Sequence, residues 1–115
     1  MTDYKELQTI DEWSQAKEQS RQQPVIVFKH STTCPISARA YDEYVAFLQT
    51  ETGIDGYLVK VIENRDVSNK IEIDTGVKHE SPQIFLIQNK KVLWHTSHAN
   101  ITTGSIKEAL QTVGA

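Results

Sequence analysis

The sequence predicts an α/β fold in which one mixed four-stranded β-sheet is flanked by helices on both faces. Three observations carry this. The run Val25-Ile26-Val27-Phe28-Lys29-His30 is apolar and rich in β-branched residues almost throughout, as suits a central strand covered on both sides. A segment with helical apolar spacing follows and leads into a second apolar run at 56–62, so strand, helix and strand succeed one another as in a parallel β-α-β unit. Two more strand-like runs then meet across Asn89-Lys90-Lys91, a connection short enough for a hairpin, and an amphipathic segment follows them.

Each element has its own local signal. Thr9-Ile10-Asp11-Glu12 has capping-box spacing, with Thr9 as the cap and Glu12 reaching back, and Ile10, Trp13 and Ala16 share one face of the helix that follows. That helix ends before Pro24, because the residue preceding a proline is pushed out of helical geometry. Pro24 opens the first strand, where its missing N–H is tolerated. From Cys34 onward Ile36, Ala40, Tyr44, Phe47 and Leu48 recur at helical spacing, with Gly53 as the stop. The second strand occupies 56–62. Asn64 or Asp66 caps a shorter helix that carries Val67 and Ile71 and closes near Gly76. Past Ser81-Pro82 come the hairpin strands, at 83–88 and 92–95. Thr102 or Thr103 begins the last helix, whose apolar face is Ile106, Ala109, Leu110 and Val113.

Length and composition bound the function. A chain of 115 residues with 38% hydrophobic and 23% charged residues reads as one soluble globular domain over 1–115. A net charge of −3, with basic residues scattered, gives no signal for nucleic acid. No stretch approaches the length needed to cross a bilayer, and the segment from Met1 to Glu6 lacks the charged start and apolar run of a signal peptide. One cysteine can build neither an internal disulfide framework nor a cysteine metal cluster. A cytoplasmic setting is therefore expected. His30, His79, His95 and His98 have no metal-ligand spacing, and no metal site is expected.

Cys34 is that single cysteine, and it falls where strand and polar turn give way to helix. A helix N-terminus offers unpaired N–H groups and about half a positive charge, which favour the nucleophilic thiolate over the thiol. Pro35 suits the first helical position. Ser37, almost one turn on, is expected to hydrogen-bond the thiolate. Lys29 and His30 are the nearest cations, and strand alternation points only one of them at the site.

The order of elements, with a cysteine after the first core strand and a proline opening the third, resembles the thioredoxin fold over nearly the whole chain. Within that fold, Thr33-Cys34-Pro35-Ile36-Ser37 resembles the active-site motif of the monothiol bacilliredoxins. Phe28-Lys29-His30-Ser31 and Glu80-Ser81-Pro82-Gln83 are similar to that family as well. The resemblance implies a cis Pro82 facing Cys34, with the main chain of Ser81 pairing with the bound thiol. It implies a thiol–disulfide oxidoreductase of the oxidative stress response that removes bacillithiol from S-bacillithiolated proteins. In it Cys34 attacks, Thr33, Pro35 and Ile36 complete the motif that tunes the thiolate, and Ser37 fills the place of a resolving cysteine. No cofactor is bound. Bacillithiol is co-substrate, and a flavin-dependent reductase recycles its disulfide. Bacillithiol carries malate carboxylates, so a cation near Cys34, from Lys29 or His30, would help to hold it. The sequence departs from glutaredoxins in having Ser31 where they commonly place a lysine, and His98-Ala99-Asn100 where they place a glycine-rich acidic turn. Two other functions compete. One is a carrier of an iron–sulfur cluster, which typically reads Cys-Gly-Phe-Ser and is disfavoured by Pro35. The other is a redox adaptor that uses Cys34 only as a sensor.

Overall fold

The structure, a computed structural model, describes residues 4–51 and 53–114, the last two of these by backbone alone. Residues 1–3, which belong to the N-terminal reading above, and the side chain of Val113 lie outside the described residues. The elements in order are β1 (Tyr4–Glu6), α1 (Ile10–Gln19), β2 (Val25–His30), α2 (Pro35–Thr50), β3 (Asp55–Lys60), α3 (Arg65–Thr75), β4 (Gln83–Gln88), β5 (Lys91–Ser97), a 3-10 turn at His98–Asn100, and α4 (Thr103–Gly114).

The sheet has five strands rather than the expected four, in the order β1-β3-β2-β4-β5. The additional strand is Tyr4-Lys5-Glu6, too short to show an alternating pattern. It forms by parallel pairing of Tyr4 with Gly56 and of Glu6 with Leu58 along the edge of β3. β2 runs parallel to β3 and antiparallel to β4, and β4 is antiparallel to β5. Asn89 and Lys90 both take positive φ, 53° and 64°, which makes the hairpin a two-residue turn whose twist matches its strands.

Local signals set the helix ends. Glu12 N–H donates to Thr9 Oγ1 and Thr9 N–H to Glu12 Oε1, both at 3.1 Å, so the capping box is complete. Gly76, at φ 69°, closes α3 in the left-handed conformation. At the start of α4, Ser105 N–H donates to Thr102 Oγ1 at 2.9 Å and Thr102 N–H to Ser105 Oγ at 3.1 Å.

Two apolar layers sandwich the sheet. Ile26, Phe28, Ile84 and Leu86 face α2 and α4, against Tyr44, Phe47, Ile106 and Ala109. Val25, Val27, Phe85 and Ile87 face α1 and α3, against Trp13, Ala16, Val67 and Ile71. Ile10 and Ile36, expected on apolar helix faces, are 40% and 50% exposed, each in the first turn of its helix. Tyr44 locks α2 to the sheet: its hydroxyl donates to the Tyr57 carbonyl at 2.8 Å and lies 3.3 Å from that of Ile26. The close approach needs Gly56, where an added Cβ would stand 2.8 Å from Leu48 Cδ1 and 2.9 Å from the Tyr44 hydroxyl.

Candidate active site

β2 carries the chain to the end of the sheet, and 31–33 turn it into α2. Cys34 N–H donates to the Ser31 carbonyl at 3.2 Å, which closes the turn. Cys34 itself is extended, at φ −103° and ψ 123°, and is the N-cap of α2 with Pro35 at the first helical position. Ala38 N–H donates to the Cys34 carbonyl at 3.0 Å. Pro35 has no N–H, so the amides of Ile36 and Ser37 are the first-turn donors left without an intrahelical acceptor. The thiol is free and partly exposed, and Thr33, Pro35 and Ile36 are exposed around it.

Ser37 is fully buried, and its hydroxyl bonds Ser31 and His30 rather than Cys34. Its Oγ accepts the Ser31 N–H at 2.9 Å and lies 2.8 Å from His30 Nδ1. Burial pushes the His30 pKa below its ordinary value, with Glu63 pulling partly back, so the neutral ring prevails at pH 7. The Ser37 hydroxyl and Nδ1 share that hydrogen bond, and the ring tautomer sets which of them donates. The side chain in the resolving position is thus a tie between β2, the turn and α2. His30 is itself wedged between the Phe28 and Tyr41 rings, with centroids 5.6 Å and 5.1 Å away. Tyr41 in turn shares a 2.8 Å hydrogen bond with Tyr4, whose pKa burial and this bond push up to about 12.

Alternation separates the two cations of β2. His30 belongs to the α2 face and lies beside the site. Lys29 points through the opposite face, wholly buried, with Nζ 3.1 Å from His79 Nδ1 and 5.9 Å from the centre of the Phe85 ring. Lys29 therefore lies outside the thiol cleft in which the sequence had left it a place. Burial lowers its pKa to about 8, against a smaller opposing pull from Glu72.

The Ser81–Pro82 peptide is cis and Pro82 is buried. The register pairs Lys29 with Gln83, so the chain leaving β2 toward Cys34 and the chain entering β4 from Pro82 lie at the same end of the sheet. Four contacts hold the approach to Pro82. Gln83 Nε2 donates to the Lys78 carbonyl at 2.9 Å, and its Oε1 accepts the Glu80 N–H at 3.3 Å. His79 N–H donates to Glu72 at 2.7 Å, and His79 Nδ1 meets Lys29. Beyond the proline, His98 N–H donates to the Pro82 carbonyl at 3.0 Å from a positive φ of 55°. Ser81 Oγ is buried without a hydrogen-bond partner.

The structure adds a feature that has no local signal in the sequence. A groove of about 170 Å³ runs between the N-terminal half of α2 and the 98–102 segment, lined among others by Ile36, Arg39, Glu43, His98 and Ile101. On the opposite side of the turn, the Thr32 hydroxyl donates to Glu63 at 3.1 Å, which puts a carboxylate there. Among the described residues, no group of three or more His, Cys, Asp or Glu side chains could hold a metal ion, and no helix is long and apolar enough to cross a membrane.

Comparison with known proteins places this geometry. The family described as Monothiol bacilliredoxin BrxC matches residues 5–106. Among solved structures, one described as a candidate oxidoreductase with a thioredoxin fold is 42% identical, with a TM-score of 0.84 over 92% of each chain. A thioredoxin from Fasciola hepatica is 15% identical, with a TM-score of 0.77 over 94% of this chain and 97% of that one. The thioredoxin NaTrxh from Nicotiana alata is also 15% identical, with a TM-score of 0.79 over 96% and 92%. The two thioredoxins share the fold.

Proposed function

The chain belongs to the monothiol bacilliredoxin family, and from that premise we propose that it removes bacillithiol from S-bacillithiolated proteins through a mixed disulfide on Cys34. The observation that carries the proposal is a lone, accessible cysteine at the N-terminus of α2 with a serine, not a second thiol, three residues on.

The chemistry follows from that pair. The Cys34 thiolate attacks the bacillithiol sulfur of the client's mixed disulfide. The bond to the client sulfur breaks, the client leaves as a thiolate that takes a proton from water, and bacillithiol remains bonded to Cys34. One disulfide has replaced another, so there is no net oxidation. Ser37 has no sulfur with which to displace the adduct, and its hydroxyl is engaged by His30 and Ser31. A second bacillithiol thiolate therefore attacks the bound bacillithiol sulfur. This forms bacillithiol disulfide and returns the Cys34 thiolate. A flavin-dependent reductase then reduces that disulfide at the expense of NADPH. The α2 amides and dipole favour Cys34 both as attacking thiolate and as leaving group. The Ser81 main chain, held by the contacts to Gln83, His79 and Glu72, serves as the strand edge against which the thiol is aligned.

The test is turnover. A bacillithiolated client would be incubated with catalytic amounts of the protein, excess bacillithiol, bacillithiol disulfide reductase and NADPH. The expected result is many equivalents of released client per protein, lost in Cys34→Ala. Release limited to one equivalent would instead make the protein a sensor.

A further inference from the structure

We propose that Lys29 is a positioning residue for exchange at Cys34, although it lies on the other face of the sheet. Through His79 it holds the main chain of 79–81 in place as the edge against which a disulfide aligns. This deepens the strand-edge reading of the Ser81 main chain, on which it rests, by naming what fixes that edge.

The edge needs a holder. Among the described residues, the main chain of 77–81 makes no hydrogen bond to other main chain. Side chains hold it instead. Thr75 Oγ1 accepts the Val77 N–H at 3.2 Å, and Glu72 Oε2 accepts the His79 N–H at 2.7 Å. Gln83 takes both the Glu80 N–H and the Lys78 carbonyl. Lys29 adds the tie to the His79 ring, with Nζ 3.1 Å from Nδ1. Lys29 and Gln83 are cross-strand partners on β2 and β4, and they are 0% and 1% exposed. Between them they grip Lys78, His79 and Glu80, the residues that lead into Ser81.

The surroundings of Lys29 do not call for a charge. Its layer of the core is otherwise apolar, with Val25 and Val27 before it on β2 and Phe85 and Ile87 on β4. Its cross-strand neighbour on β3 is Val59. An apolar side chain would extend that layer, whereas a buried ammonium costs stability. What the ammonium gains is a hydrogen bond to the segment beside Cys34. It is a donor only, so His79 Nδ1 accepts, with the ring neutral and its proton on Nε2. Burial and the Lys29 charge both hold the His79 pKa below its ordinary value, which keeps the ring an acceptor. The other charged groups that face the pair are Glu72 and Arg65 of α3 and Glu80 of the segment itself. With its pKa near 8, Lys29 keeps its charge at neutral pH and loses it in alkali, where the tie weakens.

The test compares two 2-pyridyl disulfides. That of N-acetylcysteine methylamide carries peptide groups for the edge, and that of 2-mercaptoethanol carries none. The Cys34 thiolate attacks the alkyl sulfur, the S–S bond to the pyridyl sulfur breaks, and the released pyridinethiolate is read by absorbance. Nucleophile and leaving group are shared, so Cys34 ionisation cancels in the ratio of the two rates. The ratio is scaled to that measured with free 2-mercaptoethanol as nucleophile. For the wild type it is expected above one at pH 7 and falling above pH 8. Lys29→Met should lower it about three- to tenfold at pH 7 and remove its dependence on pH. His79→Asn, whose amide oxygen takes the place of Nδ1, should keep most of it. Lys29→Met is expected to fold at least as stably as wild type, so a lower ratio is not a lost fold. A ratio unmoved in Lys29→Met, or lost equally in His79→Asn, overturns the assignment. If the wild-type ratio is one, the edge reading of Ser81 fails and the role of Lys29 with it. If it is above one and Lys29→Met leaves it there, only the role of Lys29 fails.

Discussion

Replacing Lys29 with methionine is expected to stabilise the protein at neutral pH and to weaken it in alkali. Lys29 is fully buried, and its one hydrogen bond is to His79 Nδ1. Burial holds its pKa near 8 in the fold, against an ordinary 10.5. Below pH 8 the amine is charged in both folded and unfolded chains, and the fold carries the whole cost of burying the charge. Above about 10.5 it is neutral in both, and that cost is gone. Between the two the folded protein sheds its proton first, so stability rises with pH. At about 1.4 kcal/mol per pH unit, this one group contributes about 3 kcal/mol across the interval. Methionine has similar reach and adapts to irregular cores, so the main loss is one hydrogen bond, about 1 kcal/mol. Lys29→Met should then be about 2 kcal/mol more stable than wild type at pH 7 and about 1 kcal/mol less stable near pH 10.5. Urea unfolding of both proteins at the two pH values measures this, and tyrosine titration cancels in the difference. A variant less stable than wild type at pH 7, or a difference that does not change with pH, would refute the reasoning. It would mean that the ammonium is compensated within the fold, with Glu72 the nearest source.

Two further predictions concern what holds the site in place. Ser37→Ala leaves the Ser31 N–H and His30 Nδ1 unpaired in a buried place, at a cost of about 1–3 kcal/mol. At about 4 °C per kcal/mol for a chain of this size, its melting temperature should fall by roughly 4–12 °C, and a shift under about 2 °C would deny the tie. Gly56→Ala pushes a methyl group against Leu48 and the Tyr44 hydroxyl, so the urea midpoint should fall by an amount worth about 1–3 kcal/mol at unchanged slope. An unmoved midpoint would show that α2 can slide away from β3 without cost.

Much of this was legible in the sequence, because the signals were local. The apolar run of β2, the capping box at Thr9 and Glu12 and the glycine closing α3 each depend on residues within one turn or strand. β1 was missed because three residues carry no period and gain strand geometry only from pairing with β3. The sequence showed that Lys29 and His30 face opposite sides, but not which side. β2 is apolar on both faces, so nothing within it marks the face that α2 covers. Ser37 was placed near the thiolate from spacing alone, whereas its partners are set by how the 31–33 turn folds back over α2. The groove was invisible for a longer-range reason, since its walls at Ile36 and Ile101 meet only through the packing of α2 against the 98–102 segment.

The central claim is that Cys34 can be cleared only from outside. The direct measurement is to load Cys34 with bacillithiol and remove the excess. Release is then followed by mass spectrometry as bacillithiol concentration is varied. The account predicts a rate proportional to bacillithiol with zero intercept for the wild type, and a finite intercept for Ser37→Cys, which supplies an internal thiol. Release of the adduct from the wild type in the absence of added thiol would contradict it.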